Sequence, residues 1–330
     1  MSNVRAKITA AGMFFPERTV SNQELSELVD TSDQWIRDRT GILARRIVSN
    51  GQANSDLSVK AVLDALEQTP YGPQDLDLII VATVTPDMMF PSTACILQDK
   101  IGATNAWGFD LSGACSGFVY ALATGSQYIQ TGVHKRVLVV GTDVMSSIVN
   151  LEDRSTCVLF GDGSGAVLLE PSDNDRGILD FLLHSDGSGG KYLSMPAGGS
   201  LHPATQETVE KKMHSVHQDG RMVFKFAVKL MTEVCQNLLD RNGLVPEDIK
   251  LFVPHQANLR IINASVERLG LRKEQVLVNI DRYANTTAAT IPVGLAEAQR
   301  DGRVQDGDLV LLASFGAGFT WGSLLLRWAG

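Results

Sequence analysis

Cys115 stands in a run of small residues, which is unusual for a structural thiol. The stretch DLSGACSGF (110–118) follows a predicted strand and opens a predicted helix, with Gly113 and Gly117 on either side. A tight strand-to-helix turn of this kind pushes one side chain outward, and small neighbours leave room for a substrate. N–H groups at a helix start stabilise an oxyanion, and the helix dipole lowers the pKa of a thiol. The pattern favours a nucleophilic Cys115 over the alternative, a small core residue.

A nucleophilic thiol needs partners that move protons or hold charge. Among the six histidines, only His255 ends a predicted buried strand, at the edge where the active sites of α/β folds gather. Asn285 opens a predicted helix together with Thr286 and Thr287. The alternative for His255 is a satisfied histidine at a strand end, and for Asn285 it is a helix cap. Both residues are candidates to complete a site with Cys115, and both alternatives stay open at this level.

The elements that position these residues alternate between apolar runs and helical stretches. The apolar runs lack a period of two, as strands buried on both faces do, and they cover residues 76–84, 136–144, 157–170, 251–255 and 308–315. Helices are predicted over 55–68, with Ser55 as the cap, and over 224–243, which ends in Asn-Gly. This alternation predicts α/β layering.

The two halves of the chain share a pattern. PQDLDLIIV (73–81) and PEDIKLFVP (246–254) both begin with Pro-x-Asp and continue into an apolar run. After each of these segments a strand, a helix and a further strand are predicted. The strand predicted over 276–285 matches the strand before Cys115. This match places Asn285 opposite Cys115. A repeat of this length indicates duplication of one α/β unit. We predict one half over 1–172 with the nucleophilic cysteine, and one over 173–330 with the histidine and asparagine.

Composition and charge exclude several classes of function. The 330 residues carry a formal charge of −8, which as a whole does not favour nucleic acid or anionic membranes. Four cysteines without a CxxC pair predict reduced thiols, with Cys95, Cys157 and Cys235 as structural core residues. No apolar run reaches the ~20 residues that span a bilayer, and the first residues lack a signal peptide, so we expect a cytoplasmic protein. The polar stretch 202–220 is expected to be a surface excursion.

Several ordered motifs carry a resemblance to a known family. GACSGF, PHQANLRII and NTTAAT resemble the Cys-His-Asn set of thiolase-like condensing enzymes, most closely the β-ketoacyl-acyl-carrier-protein synthase III family. TSDQWIRDRTGI (31–42), FPSTAC (90–95), FGDGSGA (160–166), MPAGGS (195–200) and FGAGFTWGS (315–323) occur in that family's order and spacing. The resemblance implies a duplicated thiolase-like α/β fold, layered α-β-α-β-α, with two mixed sheets around buried central helices.

The resemblance also implies a reaction, a decarboxylative Claisen condensation that initiates fatty acid synthesis. Cys115 would take the acyl group from an acyl-CoA, with the backbone N–H groups of Cys115 and Ala317 as the oxyanion hole. His255 and Asn285 would donate hydrogen bonds to the thioester oxygen of malonyl-acyl-carrier protein and to the enolate left by decarboxylation. A thioester is already a good leaving group, so neither a metal nor another cofactor is expected.

Further residues match positions with which the family binds its substrates and its second subunit. The CoA adenine would lie between Trp35 and Arg154, with Thr31 and Arg39 nearby, and Asn258 would order water around the catalytic histidine. Phe90 resembles the residue that reaches into the partner's acyl pocket in that family, which implies a homodimer. The acidic carrier protein would dock on three cations, Lys225, Arg260 and Arg268. The alternative for each of them is a solvated surface charge without a docking role.

Some positions depart from the family pattern. Ala284 and Ala317 stand where glycine is common, Thr287 and Thr290 stand where serine is common, and Glu267 replaces a basic residue of the docking surface. The alternative function is starter-unit loading or acyl transfer in a polyketide or natural-product pathway. A non-catalytic partner subunit is disfavoured because the cysteine is present, and a thiol hydrolase would have to admit water. The length and branching of the starter acyl group are not specified by the sequence.

Overall fold

Two mixed β-sheets with helices between and around them make up the computed structural model, which describes residues 4–330. The strands are β1 (Arg5–Phe14), β2 (Thr19–Ser21), β3 (Ala44–Arg46), β4 (Leu78–Ala82), β5 (Trp107–Leu111), β6 (Val137–Val144), β7 (Asp162–Ser172), β8 (Gly177–Ser185), β9 (Leu193–Ser194), β10 (His217–Gln218), β11 (Leu251–Pro254), β12 (Leu309–Gly316) and β13 (Thr320–Arg327). The helices are α1 (Asn22–Ser26), α2 (Asp33–Thr40), α3 (Asn54–Leu66), α4 (Thr93–Ile101), α5 (Gly117–Gln130), α6 (Arg154–Cys157), α7 (Gln206–Glu210), α8 (Gly220–Arg241), α9 (Leu259–Leu269), α10 (Ile280–Tyr283) and α11 (Thr290–Arg300).

The larger sheet has the strand order β1-β7-β6-β4-β5. Strand β4 pairs in parallel with β5 and β6, whereas β7 is antiparallel to both β6 and β1. Every residue of β4 and β6 is buried, which explains why their sequences are continuous apolar runs without alternation. β5 forms one edge of this sheet, and its residues are only half-buried or exposed.

The smaller sheet has the order β11-β12-β13-β8. β11 is parallel to β12, and the other neighbours are antiparallel. β8 follows β7 directly in sequence but belongs to the other sheet, so the chain crosses between the sheets from Ser172 to Gly177. The extent of the two halves, 1–172 and 173–330, stays a prediction, and this crossing lies beside the predicted division.

Helices α5 and α11 lie between the two sheets, and each contacts strands of both. Helices α3 and α4 cover the outer face of the larger sheet, while α8 covers the smaller sheet and carries α9 on top of it. The layers therefore run α-β-α-β-α, and the predicted fold class is confirmed. Both central helices begin on the side of the molecule where β5 of the larger sheet and β11 of the smaller sheet end. Catalytic residues from the two sheets can meet there. Within residues 4–330, no helix is both long and apolar enough to cross a membrane.

The strand predicted over 276–285 is wrong. Val276 makes a single isolated bridge to β11, and the chain then turns into the short helix α10. Buried polar contacts favour the turn over an extended strand, since Asn279 Nδ2 donates to the buried Glu297 carboxylate at 2.8 Å. The match between the two halves is therefore looser here than the sequence repeat predicts.

Two predicted element boundaries are also wrong. The apolar run 157–170 is a strand only from Asp162 onward, because Cys157 ends the helix α6. Ser55 does not cap α3, which begins one residue earlier. The cap is Ala53, whose N–H donates to the Asp56 carboxylate at 2.9 Å.

Two further expectations about burial need correction. Cys95, expected in the core, is exposed on α4, while Cys157 and Cys235 are buried. The stretch 202–220 is not only a surface excursion. It forms α7 and β10, and Val216 is buried against the interior of the protein.

Candidate active site

A 3-10 turn over Ala114–Ser116 joins β5 to the central helix α5 and carries Cys115. Ala114 adopts a positive φ of 47°, a conformation that only a tightly constrained turn imposes on a non-glycine residue. Glycine is required where β12 ends, because a Cβ on Gly316 would lie 2.7 Å from the Cys115 nitrogen. The end of β12 can therefore approach the nucleophile closely, which brings Ala317 beside it.

The Cys115 side chain is buried, and the expectation of a lowered thiol pKa is wrong for this structure. Burial raises the pKa of Cys115 to about 12, and the negative charge of Asp143 adds to the increase. Removing a thiolate from water costs more than the nearby N–H groups return. The free protein thus holds Cys115 as a thiol.

His255 follows the last residue of β11, and its backbone N–H donates to Ala313 of β12 at 2.8 Å. The imidazole is almost fully buried, and Nδ1 lies 2.8 Å from the hydroxyl oxygen of Thr290. Within residues 4–330 the buried Nε2 has no hydrogen-bond partner. Burial lowers the pKa of His255 to about 3, so the ring is neutral at neutral pH.

Asn285 has a side chain that serves two purposes with two different atoms. Its Oδ1 accepts a hydrogen bond from the Thr287 N–H at 2.9 Å in a local turn. This is not a helix cap, because the N-caps of the 3-10 turn over Thr287–Ala289 and of α11 are Thr286 and Ala289. The Asn285 Nδ2 makes no hydrogen bond to another residue of the described chain, and so remains a donor toward the interior. The backbone is fixed as well, because Asn285 pairs with Leu159 and Gly161 through its N–H and carbonyl groups. The hydrogen bond to Thr287 therefore leaves the Asn285 amide group available for substrate.

Cys115, His255 and Asn285 line one small cavity of about 40 Å³. Each is more than nine-tenths buried, so the cavity is screened from bulk water. A neutral imidazole and an amide that face the same space as a thiol can donate to an oxygen held near the sulfur. Cys115 and His255 follow the ends of β5 and β11, and Asn285 lies in the segment between α10 and α11.

Two larger cavities adjoin this one. An apolar cavity of about 220 Å³ shares Cys115, Phe160 and Leu193 with it, and also contacts Ala317. The sequence did not identify the other apolar residues of its wall, which come from separate segments of the chain; they are Val84, Met145, Ile148, Met195 and Val216. On the opposite side, a surface cavity of about 490 Å³ shares Gln218, Val223 and Ile261 with the small one. The arrangement is a passage from the surface, past the thiol, to an apolar pocket.

Trp35 and Arg39 line the surface opening. The Arg154 guanidinium carbon lies 5.0 Å from the Trp35 ring centroid, and that of Arg39 lies at 5.2 Å. Arg154 is held by a hydrogen bond to the Asp30 carbonyl at 2.7 Å. A flat ring between Trp35 and Arg154 needs about 7 Å, so the arginine must move aside to admit one. Thr31, predicted nearby, has a buried hydroxyl without a partner in residues 4–330.

Asn258 also lies at the opening, but both ends of its amide are already engaged. Its Oδ1 accepts from the Arg260 N–H at 2.9 Å and so caps α9, and its Nδ2 donates to the Arg39 carbonyl at 3.0 Å. It does not line the cavity that holds His255. The structure thus places Asn258 where it supports the opening, and the predicted role of ordering water at the imidazole would require these bonds to break.

The three predicted docking cations are exposed on α8 and α9. The Arg260 guanidinium carbon lies 5.5 Å from the centroid of the Phe224 ring. Phe224 lines the opening and precedes Lys225 in sequence, so Arg260 and Lys225 flank the opening. Arg268 lies two turns further along α9. Glu267 shares the helix face of Arg260, because residues seven apart lie on one side of a helix.

Phe90 is 85% exposed, and the neighbouring Met89 is 77% exposed. Large apolar side chains in such a cluster are unusual on the surface of a monomer. In a single chain Phe90 and Met89 are uncovered. These two side chains do not line the cavities around Cys115.

Comparison with known proteins gives a consistent result. Family models described as 3-oxoacyl-[acyl-carrier-protein] synthase III and its C-terminal part match residues 109–187 and 239–328. The β-ketoacyl-[acyl-carrier-protein] synthase III of Solibacter usitatus is 53% identical, covering 98% of this chain and 99% of its own. The crystal structure of 3-oxoacyl-[acyl-carrier-protein] synthase III from Aquifex aeolicus is 43% identical with a TM-score of 0.91, covering 98% and 100%. The priming β-ketosynthase of the R1128 polyketide pathway is 34% identical with a TM-score of 0.91, covering 98% and 96%.

Proposed function

The chain belongs to the β-ketoacyl-acyl-carrier-protein synthase III family, and from this premise we propose that it condenses an acyl-CoA starter with malonyl-acyl-carrier protein. The products are a β-ketoacyl-acyl-carrier protein, CO₂ and free CoA, in the step that initiates fatty acid synthesis. One observation carries the proposal: a thiol, a neutral imidazole and an amide face a single cavity between an open passage and an apolar pocket.

In the first half-reaction, the Cys115 sulfur attacks the thioester carbonyl of acyl-CoA, and the bond to the CoA sulfur breaks. CoA leaves as a thiol with the proton that the cysteine gives up, so the charge of the enzyme does not change. The N–H groups of Cys115 and Ala317 are proposed to hold the oxyanion. Their support is the close approach of β12 to the helix start. The acyl chain then extends into the apolar cavity, away from the imidazole.

In the second half-reaction, His255 Nε2 and Asn285 Nδ2 are proposed to donate to the thioester oxygen of malonyl-acyl-carrier protein. The bond between the carboxylate and the α-carbon breaks, and the electron pair forms an enolate on the oxygen that these donors hold. The enolate carbon attacks the acyl-Cys115 carbonyl, and the cysteine sulfur leaves as a thiolate, which takes one proton from solvent to restore the thiol. Two donors in a cavity without water suit this step, and removing one such donor typically costs ~3 kcal/mol or more.

The bound groups are proposed to follow the passage. Trp35, Arg39 and Arg154, with Thr31 and Asn258, would hold the CoA at the opening, and their support is the stacking geometry of aromatic and guanidinium groups there. An acidic carrier protein would dock on Lys225, Arg260 and Arg268, which are exposed cations on α8 and α9, with Arg260 at the same opening. The reaction as written transfers carbon between thioesters, and we propose that it needs no metal or other cofactor. The cytoplasmic location stays a prediction.

We further propose that the protein is a homodimer. The exposed Phe90 and Met89 need a cover, and β5 is an edge strand with open hydrogen-bonding groups and the half-exposed Trp107. A second copy that pairs along this edge would satisfy both features. Light scattering on the purified protein measures the mass directly, and a monomer at working concentration would overturn the proposal.

The reaction is tested in two steps. Incubation of the purified protein with acyl-CoA should add one acyl mass to Cys115, and Cys115→Ser should abolish the addition. Malonyl-acyl-carrier protein should then release CO₂ and a β-ketoacyl product. If no acyl-CoA labels the enzyme, the proposed function fails.

The second candidate is a starter-unit enzyme of a polyketide pathway, favoured by the likeness to a priming β-ketosynthase. Enzymes that pass the acyl group to an oxygen or nitrogen acceptor do not need an enolate. The presence of His255 and Asn285 in the same cavity favours decarboxylative condensation instead. Labelling of Cys115 without CO₂ release would decide for acyl transfer to an oxygen or nitrogen acceptor.

A further inference from the structure

A buried carboxylate lies beneath the proposed site and has no cation to pair with. Asp143 is fully buried near the end of β6, and no residue of the described chain forms a salt bridge with it. One of its oxygens accepts hydrogen bonds from the segment that follows β4. The donors are the Thr83 hydroxyl at 2.9 Å, the Val84 N–H at 2.9 Å, and the N–H and hydroxyl of Thr85 at 3.2 and 2.9 Å.

The second carboxylate oxygen reaches into the other half of the chain. It accepts hydrogen bonds from the Thr287 hydroxyl and from the Ala288 N–H, the latter at 3.2 Å. All groups around Asp143 are therefore donors, and the hydroxyl of Thr85 itself accepts from the Val144 N–H at 2.8 Å. Burial raises the pKa of Asp143, and the hydrogen bonds from Thr287, Thr85 and the backbone N–H groups oppose that rise. This set of donors favours the carboxylate, because the backbone N–H groups cannot accept a hydrogen bond from a protonated carboxyl.

Thr287 connects this anion to the amide of Asn285. Its backbone has a φ of 47°, which is strained for a β-branched residue. In this conformation the Thr287 N–H donates to Asn285 Oδ1, so that Nδ2 is left for the cavity. The hydrogen bonds from Thr287 and Ala288 to Asp143 oppose the strain. A contiguous chain of contacts therefore runs from Asp143 through Thr287 to Asn285.

We propose that Asp143 is a positioning residue for the second half-reaction, because its carboxylate holds Thr287 in the conformation that orients the Asn285 amide toward the enolate oxygen. The inference rests on the proposed function, in which Asn285 acts on the malonyl thioester and not on the acyl-CoA. Loss of the carboxylate then impairs condensation and leaves the acylation of Cys115 largely intact. A role confined to folding would affect both half-reactions together.

The test separates the two half-reactions in Asp143→Asn. The amide puts an NH₂ donor against a shell of N–H and O–H groups, so it cannot hold both Thr287 and the segment after β4. Acylation by acyl-CoA, followed by mass spectrometry, should not fall by more than about threefold, and it can rise because loss of the Asp143 charge removes one cause of the raised pKa of Cys115. The release of CO₂ and β-ketoacyl product from the pre-acylated enzyme should fall about 10- to 100-fold, as expected for a catalytic group displaced by about 1 Å.

A second pair of variants keeps the test decisive if Asp143→Asn does not fold. Thr287→Val removes the hydroxyl at nearly constant shape and should reproduce the selective loss, while Thr287→Ser retains the hydroxyl and should restore condensation. Asp162→Asn is the matched control. It removes another buried carboxylate, which bonds to Ser146 and the Val48 N–H and not to Thr287. Its ratio of condensation to acylation should equal that of the wild type.

The outcomes are distinguishable from failure of the proposed function. If the wild type is not acylated or releases no CO₂, the proposed reaction fails before any variant is compared. If the wild type performs both steps, equal losses in both half-reactions of folded Asp143→Asn, or no loss in either, overturn the positioning role. Equal condensation rates in Thr287→Val and Thr287→Ser overturn it as well.

Discussion

The Nδ1 atom of His255 lies 2.8 Å from the hydroxyl oxygen of Thr290, in the first turn of the central helix α11. The same hydroxyl lies 3.1 Å from the Thr287 carbonyl, so its single hydrogen has two acceptors to choose between. If the hydrogen points to Nδ1, the imidazole carries its own hydrogen on Nε2 and can donate it. The proposed donation to the enolate oxygen requires this arrangement. Thr290 therefore contacts the ring nitrogen whose protonation decides whether Nε2 can donate.

Substitution of Thr290 by valine tests this relationship. Thr290→Val keeps the shape but removes the hydroxyl, which leaves the buried Nδ1 without a partner. We expect condensation to fall about tenfold or more, with acylation of Cys115 nearly unchanged. Thr290→Ser should remain close to the wild type, since it retains the hydroxyl. Rates of acyl transfer and CO₂ release give both values, and an equally impaired serine variant would contradict the role of the hydroxyl.

The buried imidazole predicts a loss of stability in mild acid. Its pKa is about 3 in the folded chain and about 6.5 when unfolded. Below pH 6.5 the unfolded chain therefore binds a proton that the folded chain does not, and this favours unfolding by about 1.4 kcal/mol per pH unit. The stability that depends on the neutral His255 ring is constant above pH 6.5, and it is lost progressively as the pH falls from 6.5 toward 3.

Comparison of the wild type with His255→Gln isolates this effect, because other titrating groups are common to both. Between pH 7 and pH 5 the wild type should lose about 2 kcal/mol more of its free energy of unfolding than the variant, measured by urea denaturation. Parallel pH dependence in the two proteins would mean that the imidazole is solvated in the folded state.

The raised pKa of Cys115 predicts how the free enzyme reacts with alkylating agents. Only the thiolate attacks iodoacetamide, and with a pKa of about 12 its fraction grows about tenfold per pH unit up to pH 10. The rate of Cys115 alkylation should rise accordingly from pH 7 to pH 9. The measurement belongs in a Cys95→Ser background, because Cys95 is exposed. A plateau below pH 8 would mean that the helix N-terminus outweighs burial.

The thiol illustrates what the sequence could and could not predict. Cys115 and His255 were candidates because each is a reactive residue type at the end of an apolar run, and Asn285 was a candidate because the sequence repeat placed it opposite Cys115. The direction of the Cys115 pKa shift was not, since it depends on how much water the packed layers exclude and on Asp143, which lies in a separate strand. A local motif predicts a helix dipole, whereas burial is a property of the whole fold.

The same reasoning applies to the fold. Runs such as 136–144 predict buried strands because parallel neighbours cover both faces. The strand prediction for 276–285 was wrong because the apolar residues of this region resemble those of a strand. The contact that favours a turn there joins Asn279 to Glu297, which are far apart in sequence. The apolar cavity was missed for a similar reason. Val216 stands in a polar stretch and gains its role only when the chain folds back onto Ile148.

The proposed carrier-protein docking surface on α8 and α9 predicts that a single charge reversal raises the affinity for malonyl-acyl-carrier protein. Glu267 lies on the same face of α9 as Arg260, and its carboxylate repels an acidic partner. Glu267→Lys should lower the KM for malonyl-acyl-carrier protein about three- to tenfold at low ionic strength, and the gain should shrink at higher salt. Acylation by acyl-CoA should not change.

The matched control is Glu247→Lys, which makes the same change of charge near the start of β11, at the opposite end of the strand from His255. This variant should leave the KM unchanged. An equal fall in KM for both variants would indicate attraction by net charge alone and would contradict a docking surface on α9.

The apolar cavity predicts control over the length of the starter chain. Val216 lines the cavity with Ile148 and Met145 and does not contact the cavity that holds His255 and Asn285. Val216→Phe fills part of the space, so acylation by octanoyl-CoA should fall about tenfold more than acylation by acetyl-CoA. One methylene is worth about 1–3 kcal/mol in such a pocket. Val216→Ala enlarges the space and should shift the preference the other way. Mass spectrometry of the acyl-enzyme with a series of acyl-CoAs measures both. If the two variants keep the wild-type order of chain lengths, the acyl group lies elsewhere, and the passage past Cys115 does not end in its binding pocket.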